Sequence, residues 1–358
     1  MIVVWKFRGG RNSNIELLRL LCMFMILNLH SFWGYTHGEG VAQGIDFFRE
    51  CACICAVDTF LIISGYFGIK WKLQSLFNLV FQIFFYAFAV YGVVTFLGVV
   101  DFSWRGLLHN AKSLYTYQSF ITYYLLLYLC SPLLNTFVEK VTQKELLGFI
   151  IILIISELFV TKNYAFLNYC TMYLIGRYIA VSGVVNNRQL KAGQLYWLTT
   201  FVIFALVYAS CKLLHIDNAA TMQSLFWGLD YAAPLVILQA VFLFIWFARL
   251  NFQSRFINWC AASCFAIFLI HMHPKLKYTE IGYYSYTESL YSLSLFEHLW
   301  KLAILMFVVF FGSILIDKFR ILISSVCYKV FLWIIAKLKI DKTNILSYVP
   351  NLVDNGRL

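Results

Sequence analysis

Apolar runs long enough to cross the ~30 Å hydrocarbon core of a membrane recur along almost the whole of this 358-residue chain. Hydrophobic residues make up 61% of the sequence and charged residues only 13%, which excludes an ordinary soluble domain. We therefore expect an all-α, polytopic integral membrane protein. Residues 1–320 should form the transmembrane domain, and residues 321–358 a cytoplasmic interfacial helix and tail.

The apolar runs predict ten transmembrane helices, at residues 15–33, 45–67, 75–99, 119–137, 146–160, 166–183, 195–214, 232–248, 256–273 and 299–316. Lysine and arginine concentrate in alternate connecting segments and in both terminal segments. Cytoplasmic segments of membrane proteins carry an excess of these residues, so both termini are predicted to be cytoplasmic. This placement also accounts for the net charge of +11 without a nucleic-acid partner.

The segment 321–335 is apolar, but it is short, and Lys329 lies in its middle. Basic residues flank it at both ends. An amphipathic helix lying on the inner membrane surface is therefore predicted here, in preference to an eleventh span.

Three ionisable residues, Glu16, Arg19 and His30, lie within the first predicted span. Arg19 and His30 differ by only about 20° around a helix and lie about 16 Å apart along its axis, so they share one face. Ionisable groups are costly inside a bilayer and indicate function by default. With a cytoplasmic N-terminus, Arg19 lies toward the cytoplasm and His30 toward the outer face. Glu16 is expected to hold Arg19 by an i,i+3 contact.

The second predicted span carries Asp58 near its middle and the small pair Ser64–Gly65, which allows close helix approach, near its inner end. A buried carboxylate needs a partner, and His30 and Arg19 are the nearest in sequence. One hypothesis is that Asp58 accepts a hydrogen bond from one ring nitrogen of His30, which leaves the other nitrogen as a base. The alternative is a packing ion pair between the first two spans.

His271 and His273 lie at the outer end of the ninth predicted span. An H-x-H pair can bind metal, but no third ligand stands at a useful spacing, and helical positions i and i+2 diverge. Histidines that contact the interface or the substrate are therefore favoured, and no metal is expected. By the same geometry Cys51, Cys53 and Cys55 are expected to be buried small residues.

Further candidates lie at the ends of spans. Arg177, at the inner end of the sixth span, either binds a ligand or extends to the lipid headgroups. Arg49 and Glu50, at the outer start of the second span, are able to pair with neighbours. The outer segment 274–298 is rich in tyrosine and carries three glutamates. This composition suits either a sugar-binding surface or an aromatic belt at the membrane interface.

Four segments of the chain resemble the bacterial membrane-bound acyltransferase 3 family. In RNSNIELLRLLCMFMILNLHSFWG, Arg19 and His30 have the family's spacing of an arginine, ten residues and a histidine. AVDTFLIISGYF, which contains Asp58, is similar to the second-helix segment of the family. ITYYLLLYLCSPLLN, with Pro132, and CFAIFLIHMHP, with His271, resemble two later segments. The resemblance extends from about residue 11 to 320 and implies a ten-helix architecture.

The resemblance implies an acetyl-CoA-dependent O-acyltransferase of the bacterial cytoplasmic membrane, acting on cell-surface polysaccharides or lipid-linked sugars. His30, with Asp58, would be catalytic, either as a base or as a transient acyl carrier. Arg19 and Glu16, together with Lys70, Lys72, Arg177 and Arg11, would hold the donor, and His271 and His273 would contact the acceptor. Many family members have arginines where this chain has Lys70 and Lys72, and lysine lacks the bidentate fork of arginine. No permanently bound cofactor is expected.

Intramembrane charge serves transport as well as catalysis. A proton-coupled secondary transporter or lipid-linked sugar flippase, with Asp58 and His30 as a proton relay, is therefore the second hypothesis. A non-catalytic membrane scaffold explains the charged stripe poorly.

Overall fold

The computed structural model describes residues 12–31, 37, 40–117, 119–159, 165–213 and 231–337. The basic leader with Arg11 and the tail beyond residue 337 lie outside these residues. The described parts form helices and no β-strand: α1 Ser13–Ser31, α2 Val41–Cys53, α3 Ala56–Phe67, α4 Leu73–Phe96, α5 Trp104–Tyr117, α6 Ser119–Lys140, α7 Gln143–Phe159, α8 Ala165–Ser182, a 3-10 turn Val184–Asn186, α9 Ala192–Leu213, α10 Pro234–Ala248, α11 Arg255–Ala261, α12 Cys264–His271, α13 Tyr283–Leu290 and α14 Leu295–Lys337.

Five of the described helices are long and apolar enough to cross a membrane. They are α1, α4, α6, α9 and α14. Two further apolar segments, Pro234–Ala248 and Arg255–His271, are shorter. The structure thus confirms the all-helical fold with several membrane-crossing helices, whereas the count of ten spans and the cytoplasmic termini stay predictions.

Two of the predicted spans are interrupted rather than continuous helices. The span predicted at 45–67 is divided into α2 and α3, with a turn at Ile54–Cys55, and the span predicted at 256–273 is divided into α11 and α12. At the first break, Gln239 donates a hydrogen bond to the carbonyl of Cys51 at 2.9 Å, and Tyr196 donates to that of Ala52 at 2.8 Å. Side chains of α9 and α10 therefore satisfy backbone groups near the break, which makes an irregular segment tolerable inside a membrane protein.

Helix α14 continues without interruption through residues 321–335, so the helix predicted there is joined to the last span as one element. Its position on the inner membrane surface stays a prediction. The predicted boundary at residue 320 also falls inside α14. Asp317 and Arg320, the charged residues near this boundary, are buried and bond to each other at 2.8 Å. On α4, Tyr86 donates to Asp317 at 2.8 Å and Gln82 at 3.3 Å. Burial against α4 therefore allows the helix to continue past these charges.

Two helices occur in segments that were predicted to be loops. Helix α5 follows α4, and the Asn110 side chain anchors it by donating to the carbonyl of Ala87 at 2.6 Å. Trp104 and Leu108 of α5 are both more than two-thirds exposed. Helix α13 lies in the tyrosine-rich segment 274–298, where Tyr283 donates to the carbonyl of Leu27 on α1 at 2.8 Å.

Helices α3 and α8 approach each other closely through two glycines. A Cβ atom on Gly65 would lie 2.0 Å from the carbonyl oxygen of Tyr173, and one on Gly176 would lie 2.3 Å from that of Ile62. Backbones meet at such separations only where no side chain intervenes, as in small-residue contacts between membrane helices. The close approach predicted for Ser64–Gly65 is therefore made by Gly65 against α8.

Replacing Gly176 with alanine should push α3 and α8 apart and destabilise the protein by about 1–3 kcal/mol, because the new methyl group overlaps a backbone carbonyl. The measurement is the midpoint of thermal unfolding in detergent. Gly312→Ala in α14 is the matched control, since a Cβ atom there meets no heavy atom within 4 Å. The control should melt at or above the wild-type temperature because alanine favours helix. Equal melting of the two variants would contradict the glycine contact.

Candidate active site

Two histidines from distant parts of the chain meet in the protein interior. His30 lies near the C-terminal end of α1, and His271 is the last residue of α12. Nδ1 of His30 is 2.8 Å from Nε2 of His271. Nδ1 of His271 lies in turn 2.5 Å from the carbonyl oxygen of Ile267, and His271 is almost fully buried. The two rings thus form a hydrogen-bonded chain that ends on the backbone.

This chain fixes the hydrogen positions in the neutral pair. A carbonyl oxygen only accepts, so Nδ1 of His271 carries a hydrogen, and Nε2 of the neutral ring is an acceptor. Nδ1 of His30 then donates to it, which places the lone pair of the neutral His30 ring on Nε2. An imidazole oriented in this way is suited to accept a proton or to attack an electrophile.

Aromatic residues surround the pair. The ring centroids of Phe268 and Tyr284 lie 6.4 Å and 6.0 Å from that of His30, and the ring of Tyr283 lies 5.5 Å from that of His271. These rings pack against the pair, in which His271 is buried and His30 is part-buried.

Asp58 and His273 are the other residues that the sequence predicted for this region. The hydrogen-bond partner described at Nδ1 of His30 is His271. The sequence had placed His271 at the outer end of its span and had suggested Asp58 as the partner of one His30 ring nitrogen. Asp58 is fully buried on α3, and its role stays a prediction. His273 is also fully buried, and its Nδ1 accepts a hydrogen bond from the backbone of Lys275 at 3.2 Å. It therefore helps to shape the turn after α12.

At the inner end of α1, as the sequence orients it, Arg19 contacts Glu16 at 3.1 Å, which confirms the expected i,i+3 pair. Arg19 is one-third exposed, whereas Glu16 is buried. A ligand able to reach this end of the helix therefore meets a guanidinium whose direction is fixed by a carboxylate.

A second cationic region lies where α3 ends. Gly68 has a φ of 68°, which favours glycine, and the position of its Cβ would lie 2.9 Å from Nη1 of Arg177. Tyr173 donates to Asn135 at 2.8 Å and accepts from the backbone of Ile69 at 2.9 Å. Lys70 and Lys72 on the same segment are exposed.

The structure thus brings Arg177 of α8 to the segment between α3 and α4 that carries Lys70 and Lys72, and these three residues form a cationic cluster. The hydrogen bonds and ion pairs of the described residues do not connect Arg19 with this cluster.

A polar network lies beside His30 and contains Arg49, for which the sequence indicated neighbouring partners without identifying them. Arg49 donates to Asn28 at 3.1 Å, to Ser31 at 3.0 Å and to Asp46 at 3.1 Å. Asp46 also accepts from Nδ1 of His37 at 2.8 Å. The i,i+3 spacing of Asp46 and Arg49 was the available signal, but the sequence did not show that Arg49 contacts α1.

The cysteines at the break between α2 and α3 have the expected character. Cys51 and Cys55 are buried free thiols, and the Asn28 side chain contacts the sulfur of Cys53 at 3.4 Å.

The fold and the site together define a multi-pass membrane protein that carries an oriented histidine in its interior. The model of the acyltransferase 3 family, described as an acyltransferase domain, matches residues 12–318. The chain therefore belongs to this family and is a membrane acyltransferase. No curated protein and no solved structure matches it.

Removing the ring of His271 should impair acyl transfer because it removes the acceptor that orients His30. We expect His271→Ala to reduce the rate by on the order of 10²-fold. His271→Gln should retain more activity, since its amide oxygen is able to accept from Nδ1 of His30. The measurement is the acyl-transfer rate in membranes, normalised to folded protein. Equal rates for the two variants would argue against an orienting role.

Proposed function

We propose that the protein transfers an acetyl group from acetyl-CoA to a hydroxyl of a cell-surface polysaccharide or lipid-linked sugar. The observation that carries this proposal is the hydrogen-bonded pair His30–His271, which places the lone pair of the neutral His30 ring on Nε2. Family membership supplies acyl transfer as the reaction class. The oriented nitrogen suits either a base for the acceptor hydroxyl or a transient carrier of the acyl group.

We place the acyl donor at the cytoplasmic side of a bacterial inner membrane, in a chain of ten spans with both termini inside. This orientation follows from the distribution of lysine and arginine. The cluster of Arg177, Lys70 and Lys72 would bind the phosphates of the coenzyme, and the pair Glu16–Arg19 would guide the thioester arm toward His30. Lysine acts here as a point charge, so the bidentate contact would come from Arg177.

The acceptor would approach His30 from the opposite side. His271 and the tyrosine-rich segment 274–298 lie at that end of α1, where Tyr283 and Tyr291 donate hydrogen bonds to the carbonyls of Leu27 and Ser31. This segment holds the outer end of α1 and is positioned to contact a sugar. Asp58, buried on α3, would tune the interior charge near the acyl path.

Replacing His30 with alanine should give a folded protein that transfers no acyl group, because the reactive nitrogen is missing. The measurement is transfer of label from [¹⁴C]acetyl-CoA to alkali-labile glycan in inside-out membrane vesicles of the native host. His109→Ala on α5, an exposed position, is the control and should transfer at the wild-type rate. Normal transfer by His30→Ala would refute the proposal. Movement of a sugar by the wild-type protein without release of CoA would favour the transporter hypothesis.

Arg177→Ala should weaken use of acetyl-CoA more than use of the acceptor, because a phosphate would lose its bidentate partner. We expect the apparent KM for acetyl-CoA to rise about tenfold or more, which corresponds to the loss of a hydrogen bond to a charged group. Arg188→Ala, at an exposed position beyond α8, is the control and should leave this KM unchanged. A defect confined to the acceptor would place Arg177 outside the donor site.

A further inference from the structure

A second imidazole in the network beside His30 has the geometry of a base. Oδ2 of the fully buried Asp46 accepts from Nδ1 of His37 at 2.8 Å and from the backbone N–H of the same residue at 2.9 Å. Nδ1 of His37 therefore carries a hydrogen, and the lone pair of the neutral ring is on Nε2. The ring is nine-tenths buried, and its Nε2 has no hydrogen-bond partner among the described residues. A buried acceptor in this state calls for a donor from outside the described residues.

The surroundings of His37 connect it to the site of His30. The rings of His298 and Tyr291 lie 4.7 Å and 5.2 Å from the ring of His37. Arg49 contacts Asp46 on one side and the hydroxyl of Ser31, the neighbour of His30, on the other. One guanidinium thus joins the carboxylate behind His37 to the end of α1 that carries His30.

The charged residues Arg49 and Asp46 leave the neutral ring of His37 able to accept a proton. Arg49 neutralises Asp46, and its Nη1 also lies 3.3 Å from Nε2 of His298, which accepts because a guanidinium only donates. The nearby Glu50 has a buried carboxylate oxygen that makes no hydrogen bond within the described residues. The unsatisfied Nε2 of His37 and the unsatisfied carboxyl oxygen of Glu50 suit a ligand that brings hydroxyl groups, which both donate and accept.

The geometry points to a division of labour between two histidines, in which His37 is the base for the acceptor hydroxyl and His30 carries the acyl group. Asp46 is the positioning residue that orients His37. The ligand at Nε2 of His37 is a hydroxyl of the acceptor, and the inference therefore rests on the acyl transfer proposed above.

The steps of this reaction balance. The lone pair of His30 Nε2 attacks the thioester carbon, the C–N bond forms, the C–S bond breaks and the coenzyme leaves as a thiolate. The acceptor hydroxyl then gives its proton to His37 Nε2 as its oxygen attacks the acyl carbon. The new C–O bond forms, the C–N bond breaks and neutral His30 is restored. The proton on His37 leaves to solvent and balances protonation of the thiolate.

The competing explanation is that His37 only holds the chain. Both its backbone N–H and its Nδ1 bond to Asp46, so they tie the segment after α1 to α2. The two explanations assign importance to different ring nitrogens, since the clamp needs Nδ1 and the base needs Nε2.

The variant His37→Asn separates these explanations, because its amide nitrogen replaces Nδ1 as a donor to Asp46 and nothing replaces Nε2. It is measured in inside-out vesicles of the native host with [¹⁴C]acetyl-CoA, beside His109→Asn as an exposed control. We expect His37→Asn to lower transfer to alkali-labile glycan by at least 100-fold, with the KM for acetyl-CoA within threefold of the wild-type value. His109→Asn should match the wild type in both respects.

Three results would overturn the inference. Transfer by His37→Asn within threefold of the wild-type rate would show that the clamp is sufficient. A tenfold or larger change in the KM for acetyl-CoA would show that the residue supports the donor site. Failure of His37→Asn to accumulate as folded protein would assign the ring a structural role.

The wild-type and His30→Ala arms test the underlying function separately. If wild-type vesicles release no CoA and label no glycan, acyl transfer of this kind fails, and the role of His37 fails with it. If the wild type transfers label, His30→Ala does not and His37→Asn does, the proposed function stands and only the role of His37 is lost.

Discussion

Polar groups inside a membrane protein have to find partners within the protein, because the hydrocarbon offers none. This constraint explains how the structure accommodates a helix break and buried charged groups, both of which are unfavourable in a membrane. Gln239 and Tyr196 satisfy backbone carbonyls near the break between α2 and α3. Tyr86 and Arg320 satisfy the buried carboxylate of Asp317 between α4 and α14. The interruptions and buried charges are therefore compensated features of the helix packing.

The same constraint produces the candidate site. His30 is paired with a histidine 241 residues further along the chain, and that histidine is anchored on a carbonyl of its own helix. Because α12 is a short helix that ends at His271, the ring lies at a helix terminus, level with the end of α1. The packing of α12 beside α1 therefore positions the site.

Glycine decides how closely the helices around the site approach one another. Gly65 and Gly176 bring α3 against α8, and this contact places Arg177 beside the segment that follows α3. Gly68 leaves room for the guanidinium of Arg177 and adopts the left-handed backbone conformation that turns the chain. The cationic cluster with Lys70 and Lys72 therefore depends on backbone packing as much as on charge.

The sequence by itself determined the helical membrane fold, the acyltransferase 3 family and the pair Glu16–Arg19, because apolar runs and i,i+3 spacing are local properties. The tertiary structure alone decided that His271 orients His30, that His37 and Arg49 join the same region, and that α14 continues past Asp317. These features depend on contacts between different helices, or on a segment between helices that has no periodic pattern. Local spacing carries no information about which helix ends meet, so packing in three dimensions settled the partners.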